Sequence, residues 1–446
     1  MGLGKNSAEK TEQALSHAKS SAKPGAKLDL WKISPSLLAI CIDAMGFGLV
    51  YPILSAIFSD PHSGILSAGI SEQWRFFFIG LGYAVYPLFM FFGSSLMGEL
   101  SDVFGRKRVL STCVLGLSAS YFMMAAGAAL PSLVLLIVGR GLGGLMAGCQ
   151  GIAQAAISDL STPETKAINM SVMSIAYSAG IVIGPVIGGA TSSSATVSFF
   201  SYWTPFALVG LISFACYLWI LVKFKETTRA ARTRRISVLL PFKVIAEAAT
   251  DQRVRLLCVV FLLMQIGYSL YFQMILLQLQ HEFHYSTLGL GLFSGLIGTF
   301  FVVGLTVVVR ALLRRRTAAY TAQVGLVVAG VAQVASGLVH VQAGQWVLAM
   351  VIGAFDMVAY TTLLTVFSDA VPEDKQGWVL GVSGSVMAIG WVATGLLANL
   401  DPVLGDSWLI FLGGVFWLAS YALMTRYVRK RDRGTAIPTP AVAEEI

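Results

Sequence analysis

The chain has 446 residues, a mass of 47.7 kDa and a composition that is unsuited to water. Hydrophobic residues make up 56% and charged residues 12%, about half the charged share of an average soluble domain. This excludes a soluble globular protein, a disordered chain and a nucleic-acid-binding protein, despite the net charge of +8. Long continuous apolar runs also exclude a β-barrel, whose strands alternate. The composition predicts an all-α polytopic membrane protein, because helices satisfy their own backbone hydrogen bonds in lipid.

The apolar residues are grouped in twelve runs, each close to the roughly 20 residues that a helix needs to cross the hydrocarbon. We predict spans at 35–58, 75–97, 108–130, 133–157, 167–190, 204–223, 254–279, 287–309, 318–340, 345–367, 377–399 and 408–426. The first helix is predicted to begin at Pro35, with Ser34 as its N-cap. Very short connections require neighbouring spans to be antiparallel.

The longest polar break between spans divides the chain into two halves of six helices each. We predict a tail at 1–33, a six-helix bundle at 34–223, a linker at 224–253, a second six-helix bundle at 254–427 and a tail at 428–446. A local repeat supports duplication, since Pro-Glu-Thr-Lys stands at 163–166 after the fourth span and Pro-Glu-Asp-Lys stands at 372–375 after the tenth. The bundles are therefore expected to be related by a pseudo-two-fold repeat, with any substrate bound between them.

The basic residues predict the orientation in the membrane. If both ends of the chain lie on one side, that side holds nearly all of the 31 Lys and Arg residues, with Arg75 and Arg140 as the exceptions. We therefore expect both termini in the cytoplasm of a bacterial-type cell, with the protein in its inner membrane. The polar first 33 residues do not resemble a cleavable signal peptide.

Cysteine and histidine give no indication of a metal centre. All five cysteines lie in predicted spans without a Cys-x-x-Cys pair, and the five histidines are scattered over the tail, loops and a span end. No nucleotide-binding loop or Ser/His/Asp set is visible, and the loops are too short for a catalytic domain. We expect no cofactor, no metal and no enzymatic activity, and a membrane-embedded enzyme or sensor remains a remote alternative.

The loop between the second and third spans reads G-E-L-S-D-V-F-G-R-K-R at 98–108. It resembles the loop signature G-x-x-x-D-x-x-G-R-[KR]-[KR] of the major facilitator superfamily. The candidate conformational loop consists of Gly98, Asp102, Gly105, Arg106, Lys107 and Arg108, together with Asp159. The resemblance implies a latch on the inner face, in which Asp102 meets the start of the eleventh span and Arg106 reaches Asp159. A merely basic loop is the alternative.

The fifth span reads G-I-V-I-G-P-V-I-G-G at 180–189, which resembles the G-x-x-x-G-P-x-x-G-G motif of proton-coupled antiporters in that superfamily. The motif residues are Gly180, Gly184, Pro185, Gly188 and Gly189. Ordinary packing of small residues between helices is the alternative. The first span, D-A-M-G-F-G-L-V-Y-P at 43–52, is similar to the opening span of tetracycline-type drug/proton antiporters. The architecture matches throughout, whereas the specific motifs lie in the first half.

Three ionisable residues stand well inside predicted spans: Asp43, Arg140 and Asp356. Each costs at least about 2.5 kcal/mol on insertion scales, so each should face the bundle interior. We predict that Asp43, and secondarily Asp356, couples transport to protons, with a structural acid as the alternative for both. Arg140 is a substrate counter-ion, a tuner of proton affinity or a packing tie. Since Asp43 and Arg140 differ in predicted depth, no direct ion pair between them is expected.

Helical spacing extends the candidate site to residues on the faces of the first, fourth, seventh and tenth spans. The candidate substrate-binding residues are Phe47, Tyr51, Arg140, Gln150, Gln154, Gln265, Tyr268, Phe272 and Tyr360. For any single aromatic residue, ordinary packing is the competing interpretation. The glutamines are stronger candidates, because a buried amide needs partners.

These features predict a proton-coupled secondary transporter that works by rocker-switch alternating access. It is expected to export amphipathic small molecules such as drugs in exchange for protons. A dedicated carrier of a metabolite or siderophore, importing or exporting, is the alternative. The expected partners are a small-molecule substrate, protons and the lipid bilayer, with no nucleic acid, and the protein is expected to be a monomer. Substrate identity, transport direction and proton stoichiometry are not encoded in any motif.

Overall fold

The computed structural model describes residues 30–60, 63–67, 69–192, 197–227, 239–372 and 375–432. Within these ranges the regular structure is helical, without strands, and twelve helices are long and apolar enough to cross a membrane. This confirms the predicted all-α fold of twelve spans. The outer parts of both predicted tails, and the acidic pair at 373–374 of the local repeat, lie outside the described residues.

The helices follow the predicted spans, with one additional helix in the linker. The first half contains α1 (Leu30–Ser59), α2 (Glu72–Phe104), α3 (Arg106–Ala129), α4 (Leu133–Met146), α5 (Cys149–Asp159), α6 (Pro163–Thr191) and α7 (Trp203–Lys223). The linker and second half contain α8 (Leu240–Thr250), α9 (Arg255–His281), α10 (Thr287–Val303), α11 (Val309–Leu313), α12 (Ala318–Leu338), α13 (Gln342–Asp369), α14 (Gln376–Leu397), α15 (Asp401–Leu404) and α16 (Asp406–Asp432).

Three spans are built from two helices each. The fourth span is α4 and α5, which are separated at Ala147 and Gly148. The eighth span is α10 and α11, joined by a π-helical turn at Gly304–Val308. The eleventh span is α14 and α15, joined by a 3-10 turn at Ala398–Leu400. Glycine permits the close contacts at two of these breaks, since a side chain at Gly148 would meet Met97 and one at Gly304 would meet the Ala354 carbonyl.

The predicted start of the first span was wrong. The helix already includes residues 30–34, so Ser34 is not an N-cap and Pro35 lies inside the helix. Trp31 explains the extension, because its ring packs edge-on against Trp219 with 5.0 Å between centroids. The Ser34 hydroxyl donates to the Trp31 carbonyl at 3.0 Å instead of capping the helix. The last span likewise continues past the predicted boundary at 427, to Asp432.

The described residues form two distinct faces at the ends of the helices. The terminal face carries Trp31, Arg106, Glu226 and Trp378. Trp31, Arg106 and Trp378 lie near the starts of the first, third and eleventh spans, and Glu226 follows the end of the sixth. The opposite face carries Ser59, Tyr202, His281 and Asp406. These names are used below without reference to cytoplasm or exterior.

The two halves meet near the opposite face and separate toward the terminal face. Near the opposite face, the Ser55 hydroxyl in the first span donates to Gln280 in the seventh at 3.1 Å. A side chain at Gly80 of the second span would collide with the Gly395 backbone of the eleventh. Nearer the terminal face, a side chain at Gly151 or Gly381 would meet nothing within 4 Å. These contacts between the halves lie toward the opposite face, and we interpret the terminal face as the open one.

Candidate functional site

Asp43 lies inside the first half of the molecule rather than on its lipid-facing surface. Its side chain is only 8% exposed, and Tyr86, Tyr121 and Cys149 of neighbouring spans lie within electrostatic range of its carboxyl group. One carboxyl oxygen, Oδ1, is buried without a hydrogen-bond partner among the described residues. A carboxyl group that is buried without an ion-pair partner is costly to ionise.

Arg140 is held by the second span and by two aromatic rings. It is 2% exposed, and its Nε donates to the Gly82 carbonyl at 3.3 Å. Its guanidinium carbon lies 4.7 Å from the ring centroid of Tyr86 and 5.4 Å from that of Tyr51. In the described chain Arg140 forms no ion pair with Asp43, while its Nη2 is buried without a partner. Arg140 therefore ties two spans together and retains one donor for another group.

Aromatic side chains from both halves pack together where the central space ends. Ring centroids are 5.0 Å apart for Phe47 and Trp391, 5.4 Å for Tyr51 and Phe272, and 6.0 Å for the stacked pair Tyr268 and Phe272. We call Phe47, Tyr51, Tyr86, Tyr268, Phe272 and Trp391 the aromatic cluster. Phe47, Tyr51, Tyr268 and Phe272 were candidates from the sequence, whereas Tyr86 and Trp391 were not.

Trp391 is the most informative of the residues that sequence reasoning missed. It comes from the eleventh span, is buried, and contacts rings of both the first and the seventh spans. Its indole Nε1 has no hydrogen-bond partner among the described residues. A buried indole normally finds an acceptor, so a tryptophan in the middle of an apolar span was an available signal.

Asp356 is the corresponding buried acid of the second half. It is 2% exposed, and its Oδ1 has no partner in the described part of the chain. Tyr268 and Tyr360 lie within electrostatic range of its carboxyl group. Tyr177 of the fifth span lies within range of both Asp356 and Asp43, which makes it a second missed residue.

Several predicted substrate residues lie away from the aromatic cluster. Tyr360 packs on Phe261 with 5.7 Å between ring centroids, and Gln154 is exposed on α5, with Gln150 half-buried beside it. Gln265 is buried against the eleventh span, where a Cβ added to Gly390 would lie 3.1 Å from its own Cβ.

A polar cluster that was not predicted lies between the seventh and eleventh spans. The Gln273 amide donates to the Thr394 hydroxyl at 3.2 Å, and the Ser269 and Thr394 hydroxyls are 2.8 Å apart. These groups satisfy polar atoms at the contact between two helices of the second half.

The loop motif at 98–108 forms a compact ionic cluster on the terminal face. Arg106 Nη1 lies 2.9 Å from Asp102 Oδ1, and Arg106 Nε lies 3.5 Å from Asp159 Oδ2, so the contact implied by the resemblance is present. Gly105 has φ +95°, a conformation that favours glycine. The expected approach of Asp102 to the eleventh span concerns a closed terminal face and stays a prediction.

Glu226 caps the third span and was not predicted. Its carboxylate accepts from the backbone N–H groups of Arg106 and Lys107 at 2.8 and 3.1 Å, at the positive end of the helix dipole. The Lys107 ammonium donates to the Leu221 carbonyl at 2.9 Å, while Arg108 is exposed and Gly98 has open space around it.

The fifth-span motif packs against the helix that carries Asp43. Side chains added at Gly180, Gly184 and Gly188 would collide with the first span at Cys41, Met45 and Leu49, respectively. The spacing of four places these glycines on one face. Gly189 instead faces the eighth span, where an added Cβ would lie 2.5 Å from the Thr287 carbonyl oxygen. Pro185 packs against Gly48, since a Cβ there would lie 2.9 Å from its ring.

Comparisons with known proteins agree with this architecture. The family model of the Major Facilitator Superfamily matches residues 36–395. The class G tetracycline resistance protein of Vibrio anguillarum is 23% identical over 398 residues, which cover 88% of this chain and 96% of that protein. The class C protein of Escherichia coli is 34% identical over 150 residues, but these cover 34% of this chain and only 35% of that protein.

Solved structures with the same fold are more distant in sequence. The crystal structure of the human organic anion transporter MFSD10 (TETRAN) has a TM-score of 0.66 at 18% identity, covering 88% of this chain and 99% of that one. A bacterial homologue of the human lysosomal transporter Spinster has a TM-score of 0.69 at 16% identity, covering 92% of this chain and 100% of that one. These similarities establish the fold.

Proposed function

Since the chain belongs to the Major Facilitator Superfamily, and is therefore a multi-pass membrane transporter and not an enzyme, we propose that it exchanges protons for an amphipathic substrate by rocking its two halves. The rocking motion opens the central space to one face at a time, with the aromatic cluster at its closed end. The distribution of basic residues supports a cytoplasmic location for the terminal face, which is open here. The tetracycline resistance proteins among the relatives support export as the direction of transport.

The observation that carries the proton coupling is a buried carboxyl without a basic partner. Asp43 and Asp356 each retain an unpartnered oxygen, and no cation of the described residues lies within ion-pair distance of either. The protonation of such a group depends on whether water reaches it. Because rocking changes that access, proton binding and opening are thermodynamically linked.

The aromatic cluster supports an amphipathic cargo. It offers flat apolar surface with few polar groups, among them the unpartnered Nε1 of Trp391 and Nη2 of Arg140. The tetracycline resistance proteins among the relatives support a drug-like compound. A dedicated carrier of a charged metabolite or siderophore is favoured only by the free donor of Arg140. Efflux of dyes from cells would support the drug exporter. Growth that depends on a single nutrient would support the dedicated carrier.

The decisive experiment is transport in reconstituted vesicles with an imposed pH gradient. Asp43→Asn should abolish gradient-driven flux while leaving substrate binding measurable, because the amide fills the same space but cannot carry a proton. Asp356→Asn shows whether the second acid is required. Asp251→Asn, in the loop before the seventh span, is the matched control and should transport normally. Gradient-driven flux that survives unchanged in Asp43→Asn would remove the proposal.

A further inference from the structure

A groove separates the fifth and eighth spans on the side of the terminal face. It encloses about 740 Å³, within the roughly 300–1,000 Å³ of typical ligand pockets. Ser171 to Ile183 of α6 form one wall, and Thr299 to Arg310 of the eighth span form the other. The walls therefore come from different halves of the molecule.

The two helices diverge abruptly at one level. Toward the opposite face they are tightly packed, since a Cβ at Gly189 would lie 2.5 Å from the Thr287 carbonyl and one at Gly295 2.7 Å from Val186. The last such contact is at Gly298, where a Cβ would lie 2.9 Å from Cγ2 of Ile181. Beyond it the groove begins, and the π-helical turn at Gly304–Val308 shapes the wall of the eighth span.

The lining of the groove is mostly apolar, which suits a hydrocarbon chain. Ile175, Val182, Ile183, Val302 and Val303 are among the residues that line it. The hydroxyls of Ser174, Thr299 and Thr306 donate to carbonyls of their own helices at 3.0, 2.9 and 2.6 Å, so they require no polar ligand. The side chain of Ile175 is 68% exposed. Such exposure of an apolar side chain is expected where it contacts lipid instead of protein.

The end of the groove at the terminal face is basic. Arg310 lines it, and the exposed Arg314 and Arg315 follow within two helical turns. In the described residues none of these three arginines forms an ion pair, whereas Arg316 stacks over Tyr320. Exposed Lys166 stands at the start of the fifth span, on the same face. Such a cluster at the membrane surface attracts anionic headgroups.

We propose that this groove binds an anionic phospholipid of the leaflet at the terminal face, with an acyl chain between the fifth and eighth spans and the phosphate at Arg310. Closing the terminal face brings these spans together and removes the groove. The lipid therefore binds the open state more tightly and shifts the equilibrium toward it. This state preference rests on the proposed rocking, whereas the lipid site itself does not.

Lipid retention tests the site. The full chain is stripped of native lipid, exposed to phosphatidylglycerol or phosphatidylcholine, and examined by native mass spectrometry. The parent should retain phosphatidylglycerol, and Arg310→Gln should retain at least fivefold less. Ser178→Phe, which fills the groove, should retain none. Arg429→Gln, an exposed arginine near the end of the last span, is the control and should match the parent. Equal retention in all four proteins, or equal retention of phosphatidylcholine, would overturn the proposal.

A distance measurement tests the state preference. Spin labels at Ile168 and Leu313, both exposed near the groove mouth, report whether the spans approach. The half-buried Cys41 and Cys258 are replaced by alanine beforehand. Phosphatidylglycerol should increase the long-distance population several-fold, and Ser178→Phe should do so without lipid.

Two outcomes of the distance measurement would contradict the proposal: the same distances with and without lipid, or an equal effect of inorganic phosphate alone. Asp43→Asn should retain the lipid, so failure of the proton mechanism remains distinguishable from failure of this site.

Discussion

Two lateral seams join the halves, and they are built differently. We call the contact of the second and eleventh spans the 2/11 seam and that of the fifth and eighth spans the 5/8 seam. Near the opposite face both are close glycine contacts, at Gly80 and Gly395 in one and at Gly189 and Gly291 in the other. Near the terminal face they diverge, because α8 covers the 2/11 seam whereas a groove follows the 5/8 seam.

Helix α8 is attached to both halves. Its Phe242 ring lies 5.3 Å from that of Phe91 and 5.7 Å from that of Phe92, both in the second span. Its Glu247 carboxylate accepts from the Trp378 indole of the eleventh span at 3.1 Å. A duplicated fold has two equivalent seams but a single linker between its halves. The chain can therefore cover one seam itself, and the other is left to the bilayer.

The largest effect is expected from filling the glycine contacts of either seam. Gly80→Leu and Gly291→Leu each overpack the contact near the opposite face, at a cost of about 1–3 kcal/mol. They should shift the population away from the terminal-open state about 5- to 150-fold. The labelling rate of a cysteine introduced at exposed Gln154 measures this. Gly69→Leu, in the loop between the first and second spans with open space around it, is the control. Unchanged labelling in both variants would contradict the assignment of these contacts to the closed side.

Trp391 is the aromatic residue that the eleventh span contributes across the halves. Trp391→Ala removes its ring contacts with Phe47, Tyr51 and Phe272. A ring pair between the indole and an aromatic dye is worth about 0.5–1.5 kcal/mol, so losing the indole should lower the apparent affinity for the dye up to about tenfold. Equilibrium dye binding measures the change. Trp408→Ala, on the exposed surface of the last span, should bind like the parent, and equal affinity in all three proteins would exclude a role for the cluster.

The covering of the 2/11 seam can be loosened without touching the 5/8 seam. Phe242→Ala loses two ring pairs, and the free energy of unfolding should fall by about 1–3 kcal/mol. Thermal unfolding in detergent measures it, with exposed Leu239→Ala as the neighbouring control. Retention of phosphatidylglycerol should not change. A loss of lipid in Phe242→Ala would show that the two seams are not independent.

The smallest effect concerns the polar contact of α8. A double-mutant cycle of Glu247→Gln and Trp378→Phe should give a coupling energy of about 0.5–1.5 kcal/mol or less, because both groups are partly exposed. Additive effects on thermal stability would show that α8 is held to the eleventh span by its apolar face alone.

Sequence reasoning succeeded where the information is local. Hydropathy predicted the twelve spans, and the glycine spacing of the fifth span predicted a close helix contact. It could not identify the partner of that contact as the first span, because the rotation of a helix about its axis depends on the whole bundle.

The residues that were missed depend on contacts between distant parts of the chain. Trp391, Tyr177 and Glu226 are defined by neighbours from other spans or from the linker. Helix α8 was hidden within a segment that was interpreted only through its positive charge. Its apolar residues, with Lys243 and Glu247 four positions apart, could nevertheless have indicated an amphipathic helix.

The glycines of the fifth span also have a mechanical consequence. At Gly180 and Gly184 the backbones of the first and fifth spans approach each other directly, without a side chain from the glycine positions between them. The pair is therefore expected to behave as one stiff rod, with an acid on one flank and the lipid-exposed wall on the other. A displacement of the fifth span by neighbouring lipid is therefore expected to move the first span, and Asp43 with it.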